Sequence, residues 1–163
     1  MGPPRVPFVP TPATIVHEML SLADVGPDDI LYDLGCGDGR IPILAAIERW
    51  VRRAYCVEDN PVLARIARSL VEASGVGDRV WVIEENMFDV ELTDATVVTL
   101  FLITSANEAL RPKLEGDLRR GARVVSNVFE VPGWVPRKVL PYYVEGHVSR
   151  IYLYVIGEHL RSL

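Results

Sequence analysis

Residues 30–40 read Ile-Leu-Tyr-Asp-Leu-Gly-Cys-Gly-Asp-Gly-Arg. Five residues with the makings of a buried strand run straight into three glycines at alternate positions. Pro42 follows and suits the first turn of a helix, where its missing N–H would have had no intrahelical partner. A strand that ends in glycines before a helix lets the backbone approach whatever lies beyond the strand, because no Cβ stands in the way. This points to folds in which strands and helices alternate and ligands sit at strand ends.

The rest of the chain keeps that alternation. Residues 54–57 form a second strand, ending at Glu58. Asn60-Pro61 caps and opens a helix with Leu63, Ile66, Leu70 and Ala73 on its apolar face, stopped by Gly75 and Gly77. Residues 80–83 read as a third strand. Residues 95–102 read as a fourth, nearly continuous in apolar side chains, as a strand covered on both faces should be. Ser105-Ala106-Asn107-Glu108 fits a capping box opening a helix towards Leu118. Gly121 leads into a fifth strand over 123–128. Upstream, Thr11-Pro12 reads as a cap with Pro at the first helical position, before Ile15, Met19 and Leu22 at helical spacing. The preceding residues are proline-rich and extended. Two β-rich segments, 139–144 and 150–156, flank the turn signal Glu145-Gly146. The expected fold is therefore α/β: a Rossmann-like, doubly wound, mostly parallel seven-stranded sheet with a C-terminal antiparallel hairpin. At 163 residues the chain amounts to one domain, 1–163, with 1–12 as an N-terminal arm.

Composition narrows the function classes. The net charge of −5 argues against a nucleic-acid binder, which shows a basic excess, and tolerates a cationic substrate. No apolar stretch is long enough to span a membrane, and no secretion signal is read at the start. Cys36 and Cys56 cannot build a disulfide scaffold, so a reducing, cytoplasmic home is expected, with Cys36 as a small packing residue. His17, His147 and His159 are dispersed, and no metal site is expected. The basic residues from Arg111 to Arg123 read as a solvated helix face, or otherwise as a dock for an acidic partner. Gln is absent, Asn occurs four times, and Arg outnumbers Lys fifteen to two. This fits heat adaptation or GC-rich coding equally.

The charge around the glycines selects the ligand. A dinucleotide fingerprint wants a third glycine where Arg40 stands. Asp33, Asp38 and Glu58 would serve a pyrophosphate poorly. They would serve a sulfonium and an amino group well, and Glu58 at the end of the second strand is placed to accept from both ribose hydroxyls. That logic favours S-adenosylmethionine over a nicotinamide dinucleotide.

Asp33-Leu34-Gly35-Cys36-Gly37-Asp38-Gly39 resembles motif I of the class I, seven-strand methyltransferases. Taken with Pro7-Phe8-Val9-Pro10-Thr11-Pro12, the strand from Thr96 to Leu102, Arg111-Pro112-Lys113-Leu114 and Arg123-Val124-Val125-Ser126, the chain resembles the archaeal broad-specificity protein-lysine methyltransferases. These are relatives of the mitochondrial ATP-synthase c-subunit lysine methyltransferases. The resemblance implies that Gly35, Cys36 and Gly37 line the methionine part of S-adenosylmethionine, with Asp33 near its amino group. It implies Glu58 at the ribose, Asp59 at the adenine edge, and Asn86 and Met87 flanking the adenine. The arm, with Val9 and Thr11, would fold over the cofactor. Leu100 and Phe101 would lie beside the transferring methyl, and Phe8, Phe129 and Trp134 are further candidate walls of the acceptor channel. The Asn/Asp-Pro-Pro-Tyr motif of many amino-methylating enzymes is replaced by Leu100-Phe101-Leu102, which argues against a DNA base as acceptor. The implied activity is direct methyl transfer to lysines of protein substrates, leaving S-adenosylhomocysteine, by a monomer without nucleic-acid or membrane partners. An RNA or small-molecule methyltransferase, or a non-catalytic S-adenosylmethionine-binding module, stays open as the alternative.

Overall fold

The strand that leads into the glycines is the central one of the five parallel strands in a seven-stranded sheet. A computed structural model describes residues 10–160. The elements are α1 Ala13–Leu22, β1 Ile30–Leu34, α2 Arg40–Arg49, β2 Arg53–Val57, α3 Pro61–Ala73, β3 Val80–Ile83, β4 Val97–Leu100, α4 Thr104–Asp117, β5 Arg123–Asn127, β6 Lys138–Val144 and β7 His147–Val155. The strand order is β3-β2-β1-β4-β5-β7-β6. β1 to β5 are parallel, whereas β7 runs antiparallel between β5 and β6. The order reverses between β1 and β4, so the crevice expected to take a ligand opens at their carboxyl ends. This is the doubly wound, mostly parallel sheet with an antiparallel hairpin that the alternation predicts. No helix among the described residues is long and apolar enough to cross a membrane.

Helices cover both faces, which is why all five residues of β1 are buried. One face packs Leu31, Ala54, Val97 and Val125 under Val16, Met19 and Leu20 of α1 and Ile41 and Ala45 of α2. The other packs Tyr32, Leu34, Val98 and Val124 under Ala106, Leu110 and Leu114 of α4. Alternate residues of each strand thus serve opposite cores.

Local chemistry sets the boundaries. Asn60 caps α3, its Oδ1 accepting from the N–H of Val62 and Leu63 at 2.9 and 3.3 Å. Four expectations differ. α3 buries Ala64, Ala67 and Val71, while Ile66 and Leu70 are exposed. The helix approaches the glycine loop too closely for large side chains: a Cβ on Gly39 would stand 3.3 Å from that of Ala67. No capping box forms at Ser105, because α4 starts at Thr104 with Ile103 as its cap residue. Pro12 itself is the cap residue of α1, and Thr11 is buried just outside it. The basic residues after Arg111 are not a free face. Arg119 Nε donates to the Thr93 carbonyl at 3.1 Å, Lys113 pairs with Asp117 at 3.0 Å, and Arg123 binds Asp29 and the Ala23 carbonyl.

Candidate active site

The loop from Gly35 to Gly39 follows β1 and lies against the carboxyl ends of its neighbours β2 and β4. Gly35, Gly37 and Gly39 all have positive φ, at 76°, 60° and 84°. This left-handed sequence turns the chain from strand into helix at a cost only glycine avoids. The loop is anchored on β2: the N–H groups of Gly35 and Cys36 both donate to the Val57 carbonyl, at 2.9 and 3.0 Å. It is also closed from below, since a Cβ on Gly35 would stand 3.1 Å from Leu102. The same anchoring brings the Cα atoms of Cys36 and Cys56 to 5.2 Å, and the two residues form a disulfide. Cys36 is buried and packed as expected, but it is bonded as well.

Three carboxylates surround the loop, each in a different state. Asp33 is buried, accepts from the Thr99 hydroxyl at 2.9 Å, and has no cationic partner among the described residues. Burial pushes its pKa up to about 7, Thr99 works against this, and the charges of Glu58 and Asp38 add to it. Glu58 uses both carboxylate oxygens on backbone: Oε1 accepts from Gly37 N–H at 2.9 Å and Oε2 from Asn60 N–H at 3.0 Å. Burial raises its pKa, and those two bonds oppose the shift. Each oxygen keeps a lone pair for a further donor. For Asp38, burial is opposed by the Arg40 guanidinium at 2.6 Å, and the net effect holds its carboxyl below the usual carboxylate range.

Arg40, which replaces a dinucleotide fingerprint's glycine, therefore has a structural partner on each side. It also donates to the Thr11 carbonyl at 3.1 Å, tying the residues before α1 to the loop. Asp59 is exposed. Asn86 Oδ1 accepts from Phe88 N–H at 2.9 Å, a turn that leaves Met87 half-buried against the core. Val9 and Phe8 lie outside the described residues.

On the β4–β5 side, Phe101 and Phe129 stack with ring centroids 6.4 Å apart. Both are partly exposed. Their neighbours named as acceptor-site candidates differ. Leu100 is fully buried at the end of β4 and packs in the core next to Leu102 and Leu34 in sequence and sheet register. Trp134 is buried edge-on against Tyr154 and His159, with its ring N–H on Glu115 at 3.3 Å. What the fold gives Trp134 is a packing place.

The sequence model of the ANTKMT methyltransferase domain matches residues 33–138, from the buried aspartate to the first residue of β6. The chain belongs to this methyltransferase family. It is 50% identical to a protein-lysine N-methyltransferase of Saccharolobus islandicus over 96% of this chain and 97% of that one. It is 38% identical to the mouse adenine nucleotide translocase lysine N-methyltransferase, covering 83% of this chain but 58% of that protein. Among solved structures, an RNA methyltransferase from Salinibacter ruber in complex with S-adenosyl-L-homocysteine superposes with a TM-score of 0.85. The two are 41% identical, over 91% of this chain and 94% of that one.

For a member of this family, three features fit a cationic cofactor. The glycine loop turns through three positive-φ residues at the end of β1, packed so tightly on Leu102 and Ala67 that side chains at Gly35 and Gly39 would crowd it. Asp33 is a buried acid with no cationic partner among the described residues. Glu58 retains acceptor capacity at the end of β2. Sequence reading missed two elements of the site. The disulfide follows from the register Asp33↔Cys56, which sets Cys56 beside β1's end and is invisible before the strands are paired. Asn107 is buried beneath Phe129, and only its misfit as a capping residue could have signalled it.

Proposed function

We propose that this protein is an S-adenosylmethionine-dependent N-methyltransferase acting on lysine side chains of proteins. The observation that carries the cofactor is the buried, cation-free Asp33 beside a glycine cradle. The lysine acceptor is supported by the end-to-end likeness to the Saccharolobus islandicus protein. S-adenosylmethionine would supply an electrophilic methyl on a sulfonium. Gly35, Cys36 and Gly37 would lie along its methionine part, Asp33 would face the amino group, and Glu58 would accept from the ribose hydroxyls. Asp59, Asn86 and Met87 would lie at the adenine, with Val9 and Thr11 covering it.

The chain's own task is to position a neutral amine. At pH 7, holding a lysine unprotonated costs about 4.6 kcal/mol from its ordinary pKa of about 10.4. An apolar slot lowers that cost by disfavouring the ammonium. Phe101 and Phe129, stacked and partly exposed after β4 and β5, would form one wall of such a slot. The remaining catalysis is alignment, in which the amine's lone pair is held in line with the bond to be broken.

The test is incubation with methyl-tritiated S-adenosylmethionine and a lysine-rich protein extract, beside total RNA and a reductively dimethylated extract. Label in protein that disappears after lysine blocking is the expected result. The Salinibacter ruber structure favours RNA as the second reading. Label in RNA alone would establish it and overturn the first.

A further inference from the structure

The stretch from Val128 to Trp134 joins the last parallel strand to the hairpin and contains no helix or strand. It is nevertheless held along its length from one face of α4. Asn107, Arg111 and Glu115 follow each other at four-residue spacing, so their side chains lie one above the next. Asn107 Nδ2 donates to the carbonyls of Phe129 and Glu130, at 3.2 and 3.0 Å. Arg111 Nη1 donates to the Pro132 carbonyl at 2.7 Å. It passes so close to Gly133 that a Cβ there would meet it at 2.4 Å. Glu115 accepts from the Trp134 ring N–H at 3.3 Å.

The stretch begins with backbone strain. Val128 has φ of 72°, and Phe129 N–H donates back to the Asn127 carbonyl at 2.9 Å. That is a γ-turn of the positive-φ kind, which a β-branched residue rarely adopts. Such a conformation persists only where its surroundings over-determine it. Here two buried polar side chains do so. Ser126 Oγ donates to the Phe129 carbonyl at 2.5 Å, and Asn107 binds the same carbonyl and the next. Asn107 is fully buried and its Oδ1 has no hydrogen-bond partner among the described residues. A buried acceptor left unpaired is costly, so this amide is explained by its donor end alone.

The turn sets where Phe129 stands, and Phe129 stacks on Phe101 at the candidate acceptor slot. We propose that the Asn107–Arg111–Glu115 face of α4 is a positioning device for the acceptor side of the site, with Asn107 as its principal residue. It holds the strained Val128 turn and thereby fixes the Phe101–Phe129 slot, without touching the cofactor loop. This rests on the methyltransferase reading above.

The experiment compares Asn107→Ala with wild type in three measurements. These are amide hydrogen exchange at Phe129, calorimetric affinity for S-adenosylmethionine, and steady-state kinetics on a synthetic lysine peptide. Exchange at Phe129 should quicken by about tenfold. Acceptor kcat/KM should fall by about tenfold or more, mainly through KM, while cofactor affinity stays at the wild-type value. Adding Val128→Gly, which relieves the left-handed strain, should restore part of the acceptor KM. Ser126→Ala should give the same pattern more weakly, and it carries the test if Asn107→Ala does not fold. Cofactor affinity falling in step with the acceptor parameters would overturn the proposal, because it would mark general damage. Unchanged exchange at Phe129 would overturn it as well. If the wild type labels no lysine, the lysine-acceptor reading fails, whereas exchange and cofactor affinity still decide the clamp.

Discussion

Asp29 and Asp33 stand four residues apart, one just before β1 and one near its end, and both are buried. At the amino edge, Asp29 accepts from Gly26 N–H at 2.9 Å and Thr96 Oγ1 at 2.8 Å, and it pairs with the Arg123 guanidinium. At the carboxyl edge, Asp33 has the Thr99 hydroxyl and no cation among the described residues. The same side chain on the same strand is a finished joint at one end and an unbalanced charge at the other. Burying an acid without a counter-charge is unfavourable, so such a group persists where something outside the chain completes it.

The largest effect should come from the finished joint. Asp29→Ala leaves the Arg123 charge without its acid and should cost roughly 3 kcal/mol in chemical denaturation. Cofactor affinity of the folded protein should not change. A parallel loss of affinity would break the division between the edges. The disulfide comes next because it is structural yet lies at the carboxyl edge. With a sequence separation of 20, replacing both cysteines by Ser should lower stability by about 3 kcal/mol through the unfolded chain's regained freedom. Thermal unfolding with and without reductant checks the same quantity on the native sequence.

Asp33→Asn should do the opposite of Asp29→Ala: stability holds or rises, while affinity for S-adenosylmethionine drops by about tenfold or more. Its pH dependence sharpens the contrast. The folded pKa of about 7 lies above the ordinary value of 3.8. Between those values the folded chain keeps a proton that the unfolded chain has released. Wild-type stability therefore falls as pH rises through that window and levels off above about 7. The Asn variant should lack this slope. Binding of a cation selects ionised Asp33, so wild-type affinity should climb through about pH 7. A flat profile in calorimetry would remove Asp33 from the cofactor site.

Much of this was legible in the sequence. β1 and the turn at Glu145-Gly146 follow from their residues alone, because strand hydrophobicity and turn chemistry are local. The glycine loop was legible for the same reason, and the charges of Asp33, Asp38 and Glu58 narrowed the ligand before any fold was known. The face of α3 was misread because periodicity weighs side chains by size. The fold instead needed alanines, Ala64 and Ala67, where the helix meets Gly39. Leu100 was named from a family resemblance, and its full burial follows from β4 being covered on both faces. The grip on Val128–Trp134 was hidden because it joins residues about twenty positions apart, and the spacing Ser105 to Glu108 mimicked a cap.

The position of β7 has a consequence for how the chain comes together. The strand that follows β6 in sequence lies between β5 and β6 in space. Until residues His147–Val155 have been synthesised, the outer backbone edge of β5 has no neighbour, and β6 has nothing to pair with. A nascent chain stopped at the Glu145-Gly146 turn would present an open strand edge, the kind of surface on which chains associate wrongly. Closure of the sheet thus waits for β7, and resistance of β5 and β6 to protease should appear only once His147–Val155 have been made.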